Sequence, residues 1–178
     1  VMIKDEVEIY GQLVTQEKTP IFQDRQAQND PNTFASLIVY DAPDFCFIHK
    51  PYGLPSQGGP GIKVSVDQMA GKNYWIVHRL DRHTEGLMIL AKNRQSANKF
   101  ADMFKNKHIE KYYVAIVRGQ PAQTSGNIDL PLKNIVMDGD DKMIVDPQGQ
   151  KAITLYRVVN VLNRHHTLVM IKPLTGRK

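Results

Sequence analysis

The apolar residues of this chain fall into short runs that are separated by polar or Gly- and Pro-rich stretches. Residues 37–50, LIVYDAPDFCFIHK, predict two short strands joined by a turn at Asp41, Ala42 and Pro43. The run GLMILAK, which starts at Gly86, predicts a buried strand. The first half of the chain therefore favours a sheet.

The second half continues in strands. KYYVAIVRG predicts a strand that ends at Gly119. AITLYRVVNVL and TLVMIKPL predict two more, joined by a hairpin-type turn at NRHH, residues 163–166. The stretch at 130–151 is loop-rich, with a short hairpin predicted at Lys142 to Val145.

One stretch has a helical period. Ala97, Phe100, Ala101 and Phe104 recur at i, i+3, i+4 and i+7, which predicts a helix with one apolar stripe. Its lysines lie elsewhere on the helix surface: Lys99, Lys105 and Lys107. One helix among many strands, mostly in hairpin order, predicts an α+β fold with a mixed, mainly antiparallel sheet and few flanking helices.

The polar and broken residues 1–36 predict an N-terminal extension or linker, and residues 37–178 a single domain. Residues 50–61, KPYGLPSQGGPG, predict a structured loop, because this density of Gly and Pro forbids both a helix and a central strand.

Composition narrows the class of protein. Hydrophobic residues make up 42% and charged residues 23%, which permits a packed core. No apolar window is long enough for a membrane span, and the start does not resemble a secretory signal. The single cysteine, Cys46, lies in a strand-like apolar run and predicts a buried thiol of a reducing compartment, either the cytoplasm or an organellar matrix such as that of mitochondria.

The charge is unevenly distributed. Residues 1–48 carry three Lys/Arg and eight Asp/Glu, whereas residues 72–118 carry ten Lys/Arg and four Asp/Glu, a local net charge of +6. Such a basic segment indicates a polyanionic partner such as RNA or DNA. A solvated helix face that carries lysines is the alternative explanation.

Common cofactor and metal motifs are absent from the sequence. GGPGIK lacks the third glycine of a dinucleotide fingerprint, GKN lacks the P-loop context, and no serine stands in a G-x-S-x-G elbow. DGDDKM lacks the glycine and glutamate of a calcium loop, and no His or Cys pair has zinc-site spacing. We therefore expect an enzyme, if the chain is one, to work without metal, nucleotide or a serine nucleophile.

The densest cluster of charged and ionisable side chains lies in residues 78–93, HRLDRHTEGLMILAKN. Asp81 stands between Arg79 and Arg82, and nearby cations favour an ionised carboxylate that can serve as nucleophile or general base. Thr84 and Gly86 could form a tight turn before the strand. On these residues alone, a structural cluster of ion pairs at the start of a strand is the favoured explanation.

This stretch resembles the central motif of the RluA-type pseudouridine synthases, H-R-L-D-x-x-T-S-G followed by an apolar strand. Other segments resemble the family's remaining motifs in the same order: IHKPYGLPSQGGPG, EKYYVAIVRG, KAITLYRVV and LVMIKPLTGRK. The resemblance covers Phe45 to Lys178. It implies the pseudouridine synthase catalytic fold and isomerisation of uridine to pseudouridine in structured RNA, with ribosomal RNA favoured over transfer RNA, without a cofactor or a metal.

The resemblance also implies roles for individual residues. Asp81 matches the catalytic aspartate, Tyr113 the active-site tyrosine that stacks on the flipped base, and Arg177 the basic residue that pairs with the aspartate. Arg79 matches the arginine that fills the vacated stack. Further RNA-binding and base-flipping residues are expected at His78, Arg82, Thr84, Lys50 and Lys111.

Two departures from the family's pattern matter. Glu85 stands where the family has Ser, which adds a negative charge near the expected RNA path. The last motif continues past the point at which this chain stops, Lys178, so we expect the catalytic domain to be incomplete at its C-terminal end. These departures support an alternative function, a catalytically weak or inactive RNA-binding or ribosome-assembly factor with the same fold.

Overall fold

A computed structural model describes residues 31–137 and 140–176. These residues fall into two compact units, which divide after Ile109. We call residues 31–109 the N-terminal unit, and residues 110–137 with 140–176 the C-terminal unit. The sequence pattern predicts one domain over residues 37–178.

The N-terminal unit contains a four-stranded antiparallel sheet. Its strands, in the spatial order β1-β2-β4-β3, are β1 (Ile38–Asp41), β2 (Phe45–Lys50), β4 (Gly86–Ala91) and β3 (Trp75–Ile76). Its helices are α1 (Pro31–Ala35), α2 (Val66–Ala70), followed by a single 3₁₀ turn (Gly71–Asn73), and α3 (Arg94–Lys105).

Alternation along β2 fixes which side chains face the core. Cys46, Ile48 and Lys50 are fully buried, while the residues between them are more exposed. Successive side chains on a strand point to opposite faces, so these three share the inner face. Lys50 thus ends an otherwise apolar row, next to the first residue of β4, with which it pairs. Burial raises the pKa of the Cys46 thiol to about 11, with Asp41 adding to the effect. The buried thiol expected from the sequence is confirmed.

Helix α3 closes one side of this unit and confirms the helical stripe. It begins after Asn93, whose side chain accepts a hydrogen bond from the Ser96 backbone N–H at 2.8 Å, a standard N-cap. Phe100 packs edge-on against Phe45, with ring centroids 5.2 Å apart.

The end of the expected N-terminal extension is ordered in this unit. Residues 31–35 form α1, and Phe34 is buried with its ring 5.0 Å from that of Tyr74. The remainder of the extension, residues 1–30, lies outside the described residues.

The C-terminal unit contains a second antiparallel sheet and a separate two-stranded hairpin. The sheet has the order β5 (Tyr113–Arg118), β10 (His166–Pro173), β9 (Ile153–Val161) and β6 (Ser125–Asp129). The hairpin pairs β7 (Leu132–Met137) with β8 (Asp140–Val145). The α+β class with mainly antiparallel strands is confirmed, and every strand pair in the described part of the chain is antiparallel.

The prediction for residues 130–151 was wrong in extent. The expected short hairpin at Lys142 to Val145 is one arm of a ribbon with six residues in each strand. Its base is held by Gly149, where a Cβ would lie 2.6 Å from the Leu132 carbonyl carbon. Only glycine fits such a close approach of two backbone segments.

Candidate active site

Two segments that are distant in sequence meet around Asp81. One is the loop of residues 50–61, which follows β2, and the other is the segment 78–85, which precedes β4. We call them the proline loop and the aspartate segment. Three sets of hydrogen bonds join them, and each fixes a backbone position next to Asp81 in the sequence.

The first set comes from Lys50. Its ammonium donates to the carbonyl oxygens of Leu54 at 2.7 Å, Pro51 at 3.1 Å and Arg82 at 3.3 Å. The side chain is 0% exposed, so it cannot reach a phosphate. Its expected role as an RNA contact is therefore corrected: Lys50 supports the backbone from inside, and it does so through all three of its donors.

The second set comes from Ser56, whose side chain is 2% exposed. Its hydroxyl donates to the Leu80 carbonyl at 2.6 Å and accepts from the Leu80 N–H at 3.0 Å. Both backbone groups of the residue before Asp81 are thus held by one side chain. Leu80 itself is buried, which fixes the chain from the apolar side as well.

The third set joins Gly53 and Arg82 reciprocally. The Gly53 N–H donates to the Arg82 carbonyl at 2.9 Å, and the Arg82 Nε donates to the Gly53 carbonyl at 3.1 Å. Gly53 has φ +85°, a backbone conformation that glycine adopts without strain. Arg82 remains exposed, so its side chain supports the proline loop at the protein surface.

Asp81 begins a tight turn. Its carbonyl accepts from the Thr84 N–H at 3.0 Å, and the turn leads through Gly86 (φ +137°) into β4. Asp81 and Arg79 are exposed, and Thr84 is half-buried. The carboxylate is therefore presented to solvent on a backbone that is fixed on both sides.

Lys50 and Arg82 supply positive charge around this turn. Burial lowers the pKa of Lys50 to about 8, and the charges of Asp81 and Glu85 partly oppose that effect. Burial, Arg82 and Lys50 lower the pKa of His83, with Asp81 opposing them. A buried cation thus lies beneath a carboxylate that faces water.

Glu85 contacts a histidine of strand β2. Its Oε1 lies 3.5 Å from the Nε2 of His49, which projects from the outer face of β2. The extra negative charge at the position where the family has Ser thus lies beside a histidine.

His78 is held inside the N-terminal unit. Its Nε2 accepts from the Ile89 N–H of β4 at 2.9 Å, and its ring lies 4.5 Å from that of Phe104 in α3. These contacts tie the aspartate segment to the sheet and to α3. These contacts give the half-buried His78 a structural role, and the RNA contact expected there stays a prediction.

The remaining site residues belong to the C-terminal unit. Tyr113 is the first residue of β5, pairs with Ile171, and lies on the same strand face as Ala115 and the buried Val117. Tyr112, on the opposite face, is exposed and donates to Glu110 at 2.8 Å.

Lys172 completes this cluster at the start of β5. Its ammonium lies 2.5 Å from Glu110 and 5.1 Å from the Tyr112 ring centroid. Lys111 is half-buried beside them. Tyr112 is thus held by Glu110 and Lys172, and the assignment of Tyr113 as the active-site tyrosine stays a prediction. Arg177 lies outside the described residues.

Sequence reasoning missed Ser56, which shows no motif signal in its Gly- and Pro-rich loop. In the described part of the chain, no group of three or more His, Cys, Asp or Glu side chains could hold a metal ion. Within the same residues, no helix is both long and apolar enough to cross a membrane.

A family model described as RNA pseudouridylate synthase matches residues 44–178. The chain belongs to this family. RNA pseudouridylate synthases that resemble it include ribosomal large subunit pseudouridine synthase C of Rickettsia bellii, which is 33% identical over 97% of this chain and 61% of the relative. RNA pseudouridine synthase 4, mitochondrial, of Arabidopsis thaliana is 33% identical over 80% of this chain and 36% of the relative.

Among solved structures, human RNA pseudouridylate synthase domain containing 4 superposes with a TM-score of 0.66 at 26% identity. The match covers 83% of this chain and 62% of that one. The chain thus spans about a third to three fifths of the length of these relatives. The family assignment and the fold are shared, and the motifs around Asp81 fall inside the matched residues.

Proposed function

We propose that this chain carries the catalytic machinery of an RNA pseudouridine synthase, which isomerises uridine to pseudouridine in structured RNA. The observation that carries the proposal is Asp81 itself. Its carboxylate is exposed, while the backbone on both sides is held by Ser56, Lys50 and the Gly53–Arg82 pair. A structural ion-pair cluster would not need such fixing of an exposed acid.

The reaction suits a site of this kind. The bond between a base nitrogen and the ribose carbon breaks, a bond from a base carbon to the same ribose carbon forms, the base carbon gives up its proton, and the released nitrogen gains one, so that substrate and product have the same atoms. No electrons are gained or lost, so no redox cofactor is required. Asp81 acts as the nucleophile or the acid–base group for these steps.

The other site residues divide the remaining work. A base inside a helix must be extruded before a carboxylate can reach it, at a cost of about a few kcal/mol. Arg79, exposed two residues before Asp81, fills the vacated position, and Tyr113 stacks on the extruded base. The family resemblance assigns Arg177 the role of the basic residue that pairs with the catalytic aspartate. Thr84 and Arg82 support the turn, and Lys111 contacts phosphate.

We further propose that ribosomal RNA, free or in a ribosomal or pre-ribosomal particle, is the substrate. Support comes from the Rickettsia relatives, whose names specify the ribosomal large subunit. The buried, weakly acidic Cys46 fits a reducing compartment, the cytoplasm or an organellar matrix.

The test is a direct assay of product. The protein is incubated with ribosomal RNA that lacks modifications, and pseudouridine is mapped chemically, with Asp81→Asn as the matched variant. We expect product from the wild type and a decrease of at least about a thousandfold in rate for the variant, since a catalytic group is removed while the shape is kept. Equal rates would refute the assignment of Asp81.

A different result would favour the alternative function. If the wild type forms no pseudouridine and RNA binding is unchanged in Asp81→Asn, the chain acts as an RNA-binding or ribosome-assembly factor. Glu85 is the residue that supports this alternative, because its negative charge lies at the expected RNA path.

A further inference from the structure

Two aromatic rings lie side by side next to the Asp81 turn. Tyr52 comes from the proline loop and His83 from the aspartate segment, and their ring centroids are 5.2 Å apart with planes inclined by 46°. Tyr52 is half-buried, whereas His83 is exposed. One side of the imidazole is thus supported by Tyr52, while the ring still offers surface to solvent.

The backbone holds this pair in place. Tyr52 precedes Gly53 and His83 follows Arg82, and these two neighbours form the reciprocal hydrogen bonds of 2.9 Å and 3.1 Å. His83 is also the third residue of the turn that begins at Asp81. The charge of Asp81 acts on the pKa of His83, which places the imidazole near this carboxylate.

The charges around His83 favour a base over a phosphate as its ligand. Burial, Arg82 and Lys50 lower its pKa, so the ring is neutral near pH 7 and offers no cation to a phosphate. The exposed charges of the aspartate segment balance, Asp81 and Glu85 against Arg79 and Arg82, so the segment has no net charge that would favour a phosphate. A flat, neutral ring in such a field suits the flat face of a nucleobase.

We propose that Tyr52 and His83 form a stacking subsite for an unpaired RNA base that neighbours the target uridine. The inference rests on the proposed function for its choice of ligand, and it assigns these two residues a part in substrate selection. Stacking of a base on an aromatic side chain contributes about 1–3 kcal/mol. The subsite therefore favours single-stranded or splayed nucleotides beside the modified position.

The test compares two strands of equal charge. Fluorescence anisotropy measures binding of the full chain to a single-stranded oligouridylate of about ten nucleotides, a length within the usual range for such sites, and to an abasic strand of the same length. His83→Ala should weaken oligouridylate binding by about tenfold and leave abasic-strand binding unchanged. His83→Phe, which keeps a flat ring, should retain binding within about twofold.

A second pair of variants tests whether weaker binding comes from misfolding rather than from loss of the ring. Tyr52→Leu should weaken oligouridylate binding in the same direction, and His108→Ala, which removes another exposed histidine of the N-terminal unit, should have no effect. Thermal unfolding of each variant shows that it is folded. The proposal is overturned if His83→Ala binds oligouridylate like the wild type, or if it weakens binding of both strands equally.

The outcome is separable from that of the proposed function. Pseudouridine formation is assayed on the same preparations. A wild type that forms no pseudouridine, together with weakened oligouridylate binding in His83→Ala, would end the enzyme proposal and keep the subsite. A wild type that isomerises uridine but binds oligouridylate no better than the abasic strand would end the subsite proposal alone.

Discussion

At the scale of single residues, Lys50 has the most unusual environment. It is fully buried, and all three of its donors are used by carbonyl oxygens beneath the Asp81 turn. An apolar residue there would remove one donor from each of these carbonyls. The Arg82 carbonyl would keep the Gly53 N–H, whereas a buried carbonyl that is left unsatisfied costs about 1–3 kcal/mol. The ammonium also supplies positive charge close to Asp81 and Glu85.

Replacement of Lys50 by Met should destabilise the protein more at high pH than at neutral pH. Burial lowers the pKa of Lys50 from 10.5 to about 8. Between these values the unfolded chain binds more protons than the folded protein, so wild-type stability gains from this group as pH rises, and the gain disappears as pH falls through about 8. Lys50→Met lacks this gain.

Urea unfolding of both proteins at about pH 7 and about pH 10 measures the effect. At about 1.4 kcal/mol for each pKa unit, the difference in unfolding free energy between wild type and variant should grow by a few kcal/mol. Lys63→Met, at an exposed position, is the matched control and should show no such growth. A difference that stays constant with pH would contradict the lowered pKa.

The correction at Lys50 also shows what local sequence can predict. Cys46, Ile48 and Lys50 lie two residues apart, so the alternation of a strand already places Lys50 on the buried face. Its charge argued for an RNA contact instead. His78 differs, because its packing depends on Phe104 and Ile89, which only the folded chain brings to it. No sequence period predicts that packing.

At the scale of elements, the proline loop has the function of holding the aspartate segment. Ser56 should matter for catalysis through this support, because its hydroxyl holds both backbone groups of Leu80. Ser56→Ala should lower kcat by about 10- to 100-fold with a smaller change in KM, since small displacements of a catalytic group have effects of this size. Steady-state kinetics on ribosomal RNA measures both constants.

The chain offers a matched control in the segment that follows the proline loop. Ser65 is also fully buried, and its hydroxyl donates to Asp67, away from the aspartate segment. Ser65→Ala should also destabilise the protein, because it removes a hydrogen bond of a buried serine, here to a carboxylate. It should leave kcat within about twofold, because Leu80 keeps its support. Ser56→Thr, which keeps the hydroxyl, should restore much of the rate. An equal decrease of kcat in both alanine variants would reduce Ser56 to a purely structural residue.

The elements that sequence predicted share a strong hydrophobic pattern. Strands β2, β4 and β5 are apolar runs, and α3 carries a stripe over several turns. The elements that the sequence did not predict lack such a hydrophobic pattern. Helix α2 has only five residues, too few for a repeated stripe, and β6 is a polar edge strand of sequence SGNID. In the β7–β8 ribbon, apolar residues such as Val136 are exposed. The sequence there therefore lacks the regular alternation of apolar and polar residues on which a strand prediction depends.

At the scale of the whole molecule, the family resemblance and the physical pattern contribute different things. The order of motifs from Phe45 onward specifies the family, and a family model matches residues 44–178. Neither the motifs nor the composition indicates that the described residues form two units that divide after Ile109. The basic segment at 72–118 crosses that division, so a charge count along the chain cannot tell which of its residues act together.

Helix α3 lies within one unit. The prediction that the basic segment binds the phosphates of RNA can therefore be tested on its lysines. Its exposed Lys99 and Lys105 belong to the basic segment. If they hold phosphates, each neutralising substitution should reduce the steepness of the salt dependence of RNA binding. For each phosphate that the protein no longer neutralises, the slope of log K against log salt concentration changes by about 0.7 on a single strand and by about 0.9 on a B-form duplex.

Binding of ribosomal RNA is therefore measured over a series of salt concentrations for Lys99→Gln, Lys105→Gln and Lys63→Gln. Lys63 is exposed in the same unit but lies outside the basic segment, so its substitution should leave the slope unchanged. Equal slopes for all three variants and the wild type would mean that the lysines of α3 only solvate the helix. A change confined to Lys99 and Lys105 would instead place the RNA backbone along α3, and the decrease in affinity would grow as the salt concentration falls.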